Sequence, residues 1–391
     1  MMADSHQLYD DRIYWKEAMT LKRAGYEVWY ILSAERDRKG TTDEGIHFIE
    51  VGWKPGNNPA LSWFGKRFLK TGLYPRMLRS AVQLNAQVYH LHDPRLLRLV
   101  SRLKQLPHQP AVVYDAHDPW PENIMDYPHP MLPFPWMRKL WSKRVARYEL
   151  SRAALCNQII TTEENLGNRF LQNLTKVPVE VIYNYSVLPV DARINQHPKE
   201  YDAVYTGGIT ALRGAVRILE AVRIVAESRP SFRMLFVGTW FPPDLKERMR
   251  QYIIENGLEK NVELRSSVPF SEMPEIYSRC RIGLALFRPV PTHRIILPIK
   301  MFEYMQFGLP VVGSNFGHIH RLITKHNCGL TVDPENPEEI AKALIKILSE
   351  PEQSLQFSEN GRAAVQKYFS WSQMEEPLLK LYRNLLQQRI E

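Results

Sequence analysis

The chain has 391 residues, 44% of them hydrophobic and 24% charged, with a net charge of +9. That length favours two domains over one core, and the composition excludes a disordered or fibrous chain. No run of about eighteen apolar residues occurs, so no spanning helix is expected, and the opening MMADSHQLYDD lacks the basic-then-apolar order of a signal peptide.

In chain order, the first half carries candidate strands at 26–32, 46–51, 87–92, 111–116, 158–162 and 179–184. Candidate helices lie over 11–24, 75–84, 95–105, 136–154 and 164–172. A doubly wound domain usually opens on a strand, and this chain begins almost at the turn that follows one. Either MMADSHQ supplies a very short strand, or the first strand lies upstream of Met1. The stretch 185–200 is polar and without period, so it reads as the connection between domains.

The second half alternates more regularly. Strand-like runs at 202–208, 233–239, 261–267, 281–287, 310–314 and 329–333 are separated by helical patterns near 211–228, 243–256, 271–279, 298–307, 317–325 and 336–349. Continuous apolar strands between amphipathic helices predict a parallel sheet covered on both faces. The expected fold is α/β, with two Rossmann-like doubly wound domains over 1–188 and 189–371. The C-terminal segment 372–391, with an amphipathic helix near 372–388, is expected to return to the first domain.

Cys156, Cys280 and Cys328 stand apart from one another. They fit buried small side chains in a reducing cytosol rather than a disulfide framework or a metal site. The excess charge is local: between Gly52 and Val112 stand ten basic residues and one acid, Asp93. Such a patch suggests an anionic partner, whether a phosphate-bearing substrate, an anionic lipid surface or nucleic acid. Nucleic acid is disfavoured because no recognition motif of the known kinds occurs.

The stretch PIKMFEYMQFGLPVVGS (298–314) carries the most chemistry. Pro298 suits the first turn of a helix, and Lys300 and Glu303 share a face. Met301, Tyr304 and Met305 fall on another face and suit a core. A helix start with a lysine attracts phosphate, and a carboxylate accepts from a ligand diol. The bland alternative is a surface helix with a weak lysine–glutamate pair. A second element, YTGGITALRGAVRILEAV (205–222), is a strand, a Gly207-Gly208 turn and a helix with Arg213 near its start. Glycines there admit close backbone approach, and the arginine suits a diphosphate.

With these motifs the sequence resembles the large family-4 class of retaining glycosyltransferases. The matching stretches are YDDRIYWKEAMTLKRAGYEV, YHLHDPRLL, VVYDAHDPWPENI, VIYNYSV, YTGGITALRG, PIKMFEYMQFGLPVVGS and FSWSQMEEPLLKLYRNLL, which span nearly the whole chain. The resemblance implies two Rossmann-like domains facing a cleft (the GT-B arrangement), with a nucleotide-sugar donor in the second and an acceptor in the first. By that resemblance, Gly207, Gly208, Arg213, Lys300 and Glu303 bind the donor. Arg213 and Lys300 neutralise the leaving diphosphate, Glu303 holds the ribose, and His117 lies near the transferred sugar. A satisfied structural histidine is the competing reading for His117, and His90 and His92 read as structural. There is no Asp-x-Asp motif and no histidine–carboxylate cluster at metal spacing, so neither a metal nor a cofactor beyond the donor is expected.

The sequence departs from the family at several points. Ile295 stands where many members carry a glutamate eight positions before Glu303. Gly208 replaces a frequent arginine, and Arg213 a frequent lysine, which keeps the charge. The family's first-domain glycine loop is not visible in SHQLYDDRI, where Arg12 is a candidate substitute.

Two stretches, 61–80 and 131–148, mix Trp63, Phe64, Phe68, Tyr74, Trp136 and Trp141 with lysine and arginine. They fit either a helix lying in an anionic lipid interface or helices that bury their aromatics. The expectation is therefore a cytoplasmic enzyme, peripheral at the inner face of the cell membrane, that acts on a lipid-linked acceptor. It would build a cell-surface polysaccharide or glycolipid with retention. The rival readings are a nucleotide-sugar epimerase on a similar scaffold and a catalytically impaired nucleotide-sugar or lipid-binding protein.

Overall fold

The computed structural model describes residues 1–53, 72–127, 132–187 and 197–387. They fall into two compact units, one of Met1–Asn184 with Trp371–Glu391 and one of Tyr185–Ser370.

The first unit is built on strands β1 (Met2–Ala3), β2 (Trp29–Ala34), β3 (Arg38–Thr41), β4 (His47–Gly52), β5 (Val88–Leu91), β6 (Ala111–Ala116), β7 (Gln158–Thr161) and β8 (Val179–Val181). Their order in the sheet is β3-β4-β2-β1-β5-β6-β7-β8. All neighbours are parallel except the β3–β4 pair at the edge. Apolar strand residues such as Ile31, Tyr89, Leu91, Val112 and Ile159 pack against Leu73, Tyr74 and Met77 of the helix Leu73–Leu84. After β1 the chain winds as a π-helix, Asp11–Ala18, that continues into the α-helix Met19–Arg23. Asp10 caps it, accepting from the N–H groups of Arg12 and Ile13 at 2.9 Å each. The terminal helix Ser372–Gln387 belongs to this unit. Leu378 on that helix is fully buried, and just before it the Trp371 indole donates to Thr20 Oγ1 at 2.9 Å.

The second unit carries β9 (Tyr201–Ile209), β10 (Met234–Trp240), β11 (Val262–Ser266), β12 (Cys280–Ala285), β13 (Val311–Ser314) and β14 (Gly329–Val332). All are parallel, in the order β11-β10-β9-β12-β13-β14. Ile218, Leu219, Val222 and Val225 of the helix Ala215–Ser228 fill one face together with Ile340 and Leu344 of the helix Pro337–Ser349.

Met2–Ala3 is a very short opening strand, one of the two alternatives for MMADSHQ. Several elements differ from expectation. The polar edge strand β3 is too short to show a period, and the helices Trp120–Asp126 and Pro291–Ile295 are single short segments. The 18-residue helix Pro351–Tyr368 is the largest omission. Its sequence opens on proline and carries Gly361, which reads as a break. Gly361 does not break it, and the helix packs there against Met305, whose Cα would stand 3.4 Å from a Cβ at this position. Most of 185–200, most of 61–80 and Met131 lie outside the described residues.

Candidate active site

In each sheet the chain reverses its direction of travel once. In the second unit it runs from β9 to β10 and β11 on one side, then crosses to β12 on the other. Ligands of open α/β sheets bind beyond the carboxyl ends of the strands at such a switch point. The residues singled out by motif lie at the end of β9 and in the segments after it, and on the helix between β12 and β13.

Gly207 and Gly208 close β9. Gly207 has φ +92°, and a Cβ on it would stand 3.8 Å from Lys300 Nζ. Across the ladder from Gly207 is Gly238, where a Cβ would collide with the Gly207 carbonyl oxygen at 1.7 Å. Thr210 accepts from the Arg213 N–H at 3.0 Å and so turns the chain into the next helix. The Arg213 guanidinium packs over the bare face of Gly208, where a Cβ would come within 2.7 Å of Nη1.

Lys300 and Glu303 lie on the helix Ile299–Gln306, with Pro298 in the position just before it. That helix ends through Gly308, at φ +67°, where the Leu309 N–H reaches the Tyr304 carbonyl at 2.9 Å. Met301, Tyr304 and Met305 are fully buried, as expected for its core face. Lys300 and Glu303 are buried too, 6% and 7% exposed, which removes the reading as a solvated surface pair.

Lys300 Nζ sits 3.5 Å from the centre of the Tyr205 ring and 5.5 Å from that of Phe287, with no hydrogen-bond acceptor. Burial, and secondarily the charge of Arg213, hold its amine well below its ordinary pKa. Glu303 accepts from the Tyr277 hydroxyl at 2.5 Å, and that hydroxyl is also 3.1 Å from Thr206 Oγ1, next to Gly207. The structure thus brings Gly207, Gly208, Arg213, Lys300 and Glu303 together. Tyr205, Tyr277 and Phe287 were not foreseen. For Tyr205 a signal existed, since it stands two positions before Gly207 and so shares its strand face.

His117 belongs to the first unit, whose switch point lies between β1 and β5. Beyond these strands stand Asp4, Ser5 and His6, then His92 and Asp93. Asp93 accepts from the Asp4 N–H at 2.7 Å and from the Ser5 hydroxyl. Asp4 accepts from Tyr74 at 2.6 Å and from Arg95 at 2.7 Å. His117 Nε2 lies 3.2 Å from His6 Nε2, and His6 Nδ1 lies 2.9 Å from Asp10.

Beneath them is a buried set that spacing along the sequence did not reveal. One ligand atom from each of Glu17, His90, His92 and Asp115 lies within 4.8 Å of the others. The expectation of no histidine–carboxylate cluster is thereby corrected, because the four residues come from three separate elements. Arg12 serves this set, with Nε 2.7 Å from Asp115 and Nη2 3.0 Å from Glu17. It also donates to the Ile182 carbonyl at 3.1 Å. Arg12 is therefore committed inside the fold, which corrects its reading as a substitute for the glycine loop. Burial raises the Glu17 carboxyl well above its usual range, against the pull of Arg12. Asp115, which burial alone would raise, is held well below its usual value by Arg12 and the nearby imidazoles of His117 and His92. Burial lowers His90 well below its ordinary value and His92 to about 4.

The fold and the second-unit site define an α/β protein with a buried basic end at a strand switch point, a place for a phosphate-bearing ligand. Known proteins agree in kind. The glycosyl transferases group 1 family profile matches residues 190–364, and the glycosyltransferase family 4 profile matches residues 15–185. The chain belongs to this glycosyltransferase family.

Spore coat protein SA of Bacillus subtilis is 24% identical over 184 residues, 46% of this chain and 48% of that protein. A D-inositol 3-phosphate glycosyltransferase of Corynebacterium urealyticum is 24% identical over 185 residues, 46% of this chain and 42% of the other. The chain thus spans about half the length of the curated relatives it matches. Among solved structures, sucrose-phosphate synthase of Thermosynechococcus elongatus has a TM-score of 0.72 at 17% identity, covering 95% of this chain and 92% of the other. HepE of Anabaena, solved with UDP and glucose, has a TM-score of 0.71 at 14% identity, covering 98% of each chain. These likenesses show the fold, two parallel-sheet α/β domains of the GT-B class. Among the described residues no helix is long and apolar enough to cross a membrane.

Proposed function

We propose that the chain transfers a sugar from a nucleotide-diphosphate sugar to a hydroxyl acceptor, with retention and without a metal ion. The cell-surface polysaccharide or glycolipid context rests on the family resemblance. The observation that carries the reading is Lys300, a buried amine with no acceptor, set against Gly207, Gly208 and Arg213 at the switch point. A leaving diphosphate gathers negative charge as the sugar bond breaks, and fixed cations stabilise that charge most in the transition state. Lys300 and Arg213 supply two such cations, and the two glycines let phosphate oxygens approach the backbone. Glu303, oriented by Tyr277, accepts from the ribose hydroxyls.

In this reading the second unit, within 189–371, takes the donor. The first, within 1–188 together with 372–391, takes the acceptor, and His117 addresses a sugar hydroxyl. Metal independence is supported by Arg12, which already supplies a positive charge to Glu17 and Asp115. Ile295 carries no group to bind a sugar, so sugar contacts come from elsewhere. This favours one second reading, a protein that binds the donor without turning it over.

Peripheral attachment to an anionic membrane, and hence a lipid-linked acceptor, is supported at 131–148. Phe134, Trp136 and Leu140 are exposed among Lys139, Lys143, Arg144 and Arg147 on and just before the helix Pro135–Ala153. Pelleting with anionic liposomes at low salt tests this, and an unbound protein refutes it. A thermal-shift screen against UDP, GDP and their sugars tests the main reading. At least one nucleotide sugar should raise the melting temperature, and the rise should vanish in Lys300→Met and Glu303→Ala. No response to any of them overturns the reading. Anomeric proton NMR of the product then tests retention, and donor binding without product selects the non-catalytic reading.

A further inference from the structure

His117 has no ring nitrogen turned to open solvent alone. Nδ1 faces Asp115 Oδ1 at 3.7 Å, and Nε2 faces His6 Nε2 at 3.2 Å. His6 in turn is fixed through Nδ1, which donates to Asp10 at 2.9 Å. Two ring nitrogens 3.2 Å apart hold one proton between them, because two N–H groups would collide and two bare nitrogens would leave both unsatisfied. The pair therefore presents one donor and one acceptor to each other. Both side chains are partly exposed, His6 at 21% and His117 at 12%.

The charges facing the pair are mostly negative. Asp10 holds His6, Asp93 Oδ1 lies 3.8 Å from His6 Nε2, and Asp115 and Asp118 bear on His117. The nearby cations are committed, Arg95 to Asp4 and Arg12 to Asp115 and Glu17. An anionic group entering here would meet carboxylates. An ammonium has no acceptor face for the shared proton. A hydroxyl both donates and accepts, so it converts N–H···N into N–H···O–H···N with nothing left unpaired. Widening the gap to about 4.6 Å seats one oxygen about 2.8 Å from each nitrogen, at the near-tetrahedral angle between a hydroxyl's O–H and its lone pair.

We propose that His6 and His117 form a clamp for a single ligand hydroxyl, which enters between their Nε2 atoms, so that His6 contacts the ligand directly. This rests on the reading of the chain as a sugar transferase. NMR of the full chain with ¹⁵N-labelled histidine rings tests it, with His6→Gln and His117→Gln used for assignment. The probes are UDP-glucose, UDP-galactose, GDP-mannose, UDP and GDP. The expected result is that both Nε2 resonances move together with at least one nucleotide sugar and stay put with UDP or GDP alone. Movement of His117 alone, an equal response to UDP, or no movement while a nucleotide sugar raises the melting temperature overturns the clamp but leaves the transferase reading standing. A melting temperature that answers to none of the probes overturns both. In binding, His6→Ala should weaken the responding nucleotide sugar by about 3–10-fold, the worth of one hydrogen bond. His6→Gln, which keeps a donor and an acceptor, should restore most of that loss; equal affinities in all three chains refute the clamp.

Discussion

Replacing Lys300 with methionine should make the ligand-free protein more stable while removing its grip on a nucleotide. The Lys300 amine is buried without an acceptor, a situation that costs about 1–3 kcal/mol before any charge is counted. Its contact with the Tyr205 ring at 3.5 Å returns about 0.5–2 kcal/mol. The balance is a burden of about 1 kcal/mol. Methionine has a similar length, fills the same space and sets a sulfur against the ring. The second unit of Lys300→Met should therefore melt about 2–4 °C higher.

The pH dependence gives an independent check. Burial lowers the Lys300 pKa in the folded chain, so between that value and about 10.4 the unfolded chain binds more protons. Stability of the wild type then rises with pH across this window, because the penalty is full at low pH and relieved as the unfolded amine also loses its proton. Lys300→Met should lack that slope. Calorimetry of the ligand-free chain from pH 6 to 10 reads both effects. A variant that melts below the wild type at pH 7, or one that keeps the slope, refutes the account of Lys300 as a desolvated cation awaiting an anion.

Other substitutions probe the neighbouring contacts. Arg12→Met leaves Asp115 as an uncompensated buried charge and should cost about 3–5 kcal/mol in urea denaturation; a loss below about 1 kcal/mol would show that the buried set does not depend on it. Tyr277→Phe removes the donor that orients Glu303, costing about 1–3 kcal/mol and weakening nucleotides through their ribose; deoxyribose analogues should be insensitive to the change. Gly208→Ala places a Cβ 2.7 Å from Arg213 Nη1. The guanidinium is a flexible end and should yield, leaving stability within about 0.5 kcal/mol while nucleotide affinity falls. For His6, burial lowers the pKa, but the Asp10 hydrogen bond and the charges of Asp93, Asp10 and Asp118 outweigh it and raise the value to about 9. A base raised on folding stabilises fully below its unfolded value near 6.5. That contribution disappears as the pH climbs to about 9, so His6→Gln should show a shallower loss of melting temperature across this window.

Much of the second unit was legible because its strands are apolar runs between well-formed helices; all six predicted strands overlap observed ones. The donor-side residues were legible for a related reason. Each lies in the last residues of a strand, just past one or on a short helix, where a local motif and a ligand position coincide. What the sequence hid was their surroundings. Tyr205, Phe287 and Tyr277 reach Lys300 and Glu303 from separate elements, and no local period marks that convergence. His6 and His117 are 111 positions apart, and the Glu17, His90, His92 and Asp115 set defeats any rule based on ligand spacing. Arg12 was misread because a charged residue near an expected loop suggests a ligand, whereas its partners Glu17 and Asp115 become visible only once the sheet is formed.

The same topology gives each unit an end fit for a ligand, and the side chains decide which ligand. At the second switch point Lys300 and Arg213 stand beside one carboxylate, Glu303, and Lys300 is left short of an acceptor, so an anion satisfies both its charge and its hydrogen bonds where a neutral polyol supplies an acceptor only. At the first, carboxylates surround a histidine pair whose one shared proton suits a hydroxyl. The net charge of +9 does not predict this division. Its excess lies in 52–112, within the first unit, yet four members of that patch are occupied elsewhere. Arg95 is tied to Asp4, Arg76 to Asp37, Arg98 lies over the Tyr74 ring, and Lys104 reaches Asn157 at 3.1 Å. A basic surface and a basic site are separate properties of this chain. The surface speaks to what the first unit approaches, and the buried groups at the two switch points speak to what each unit holds.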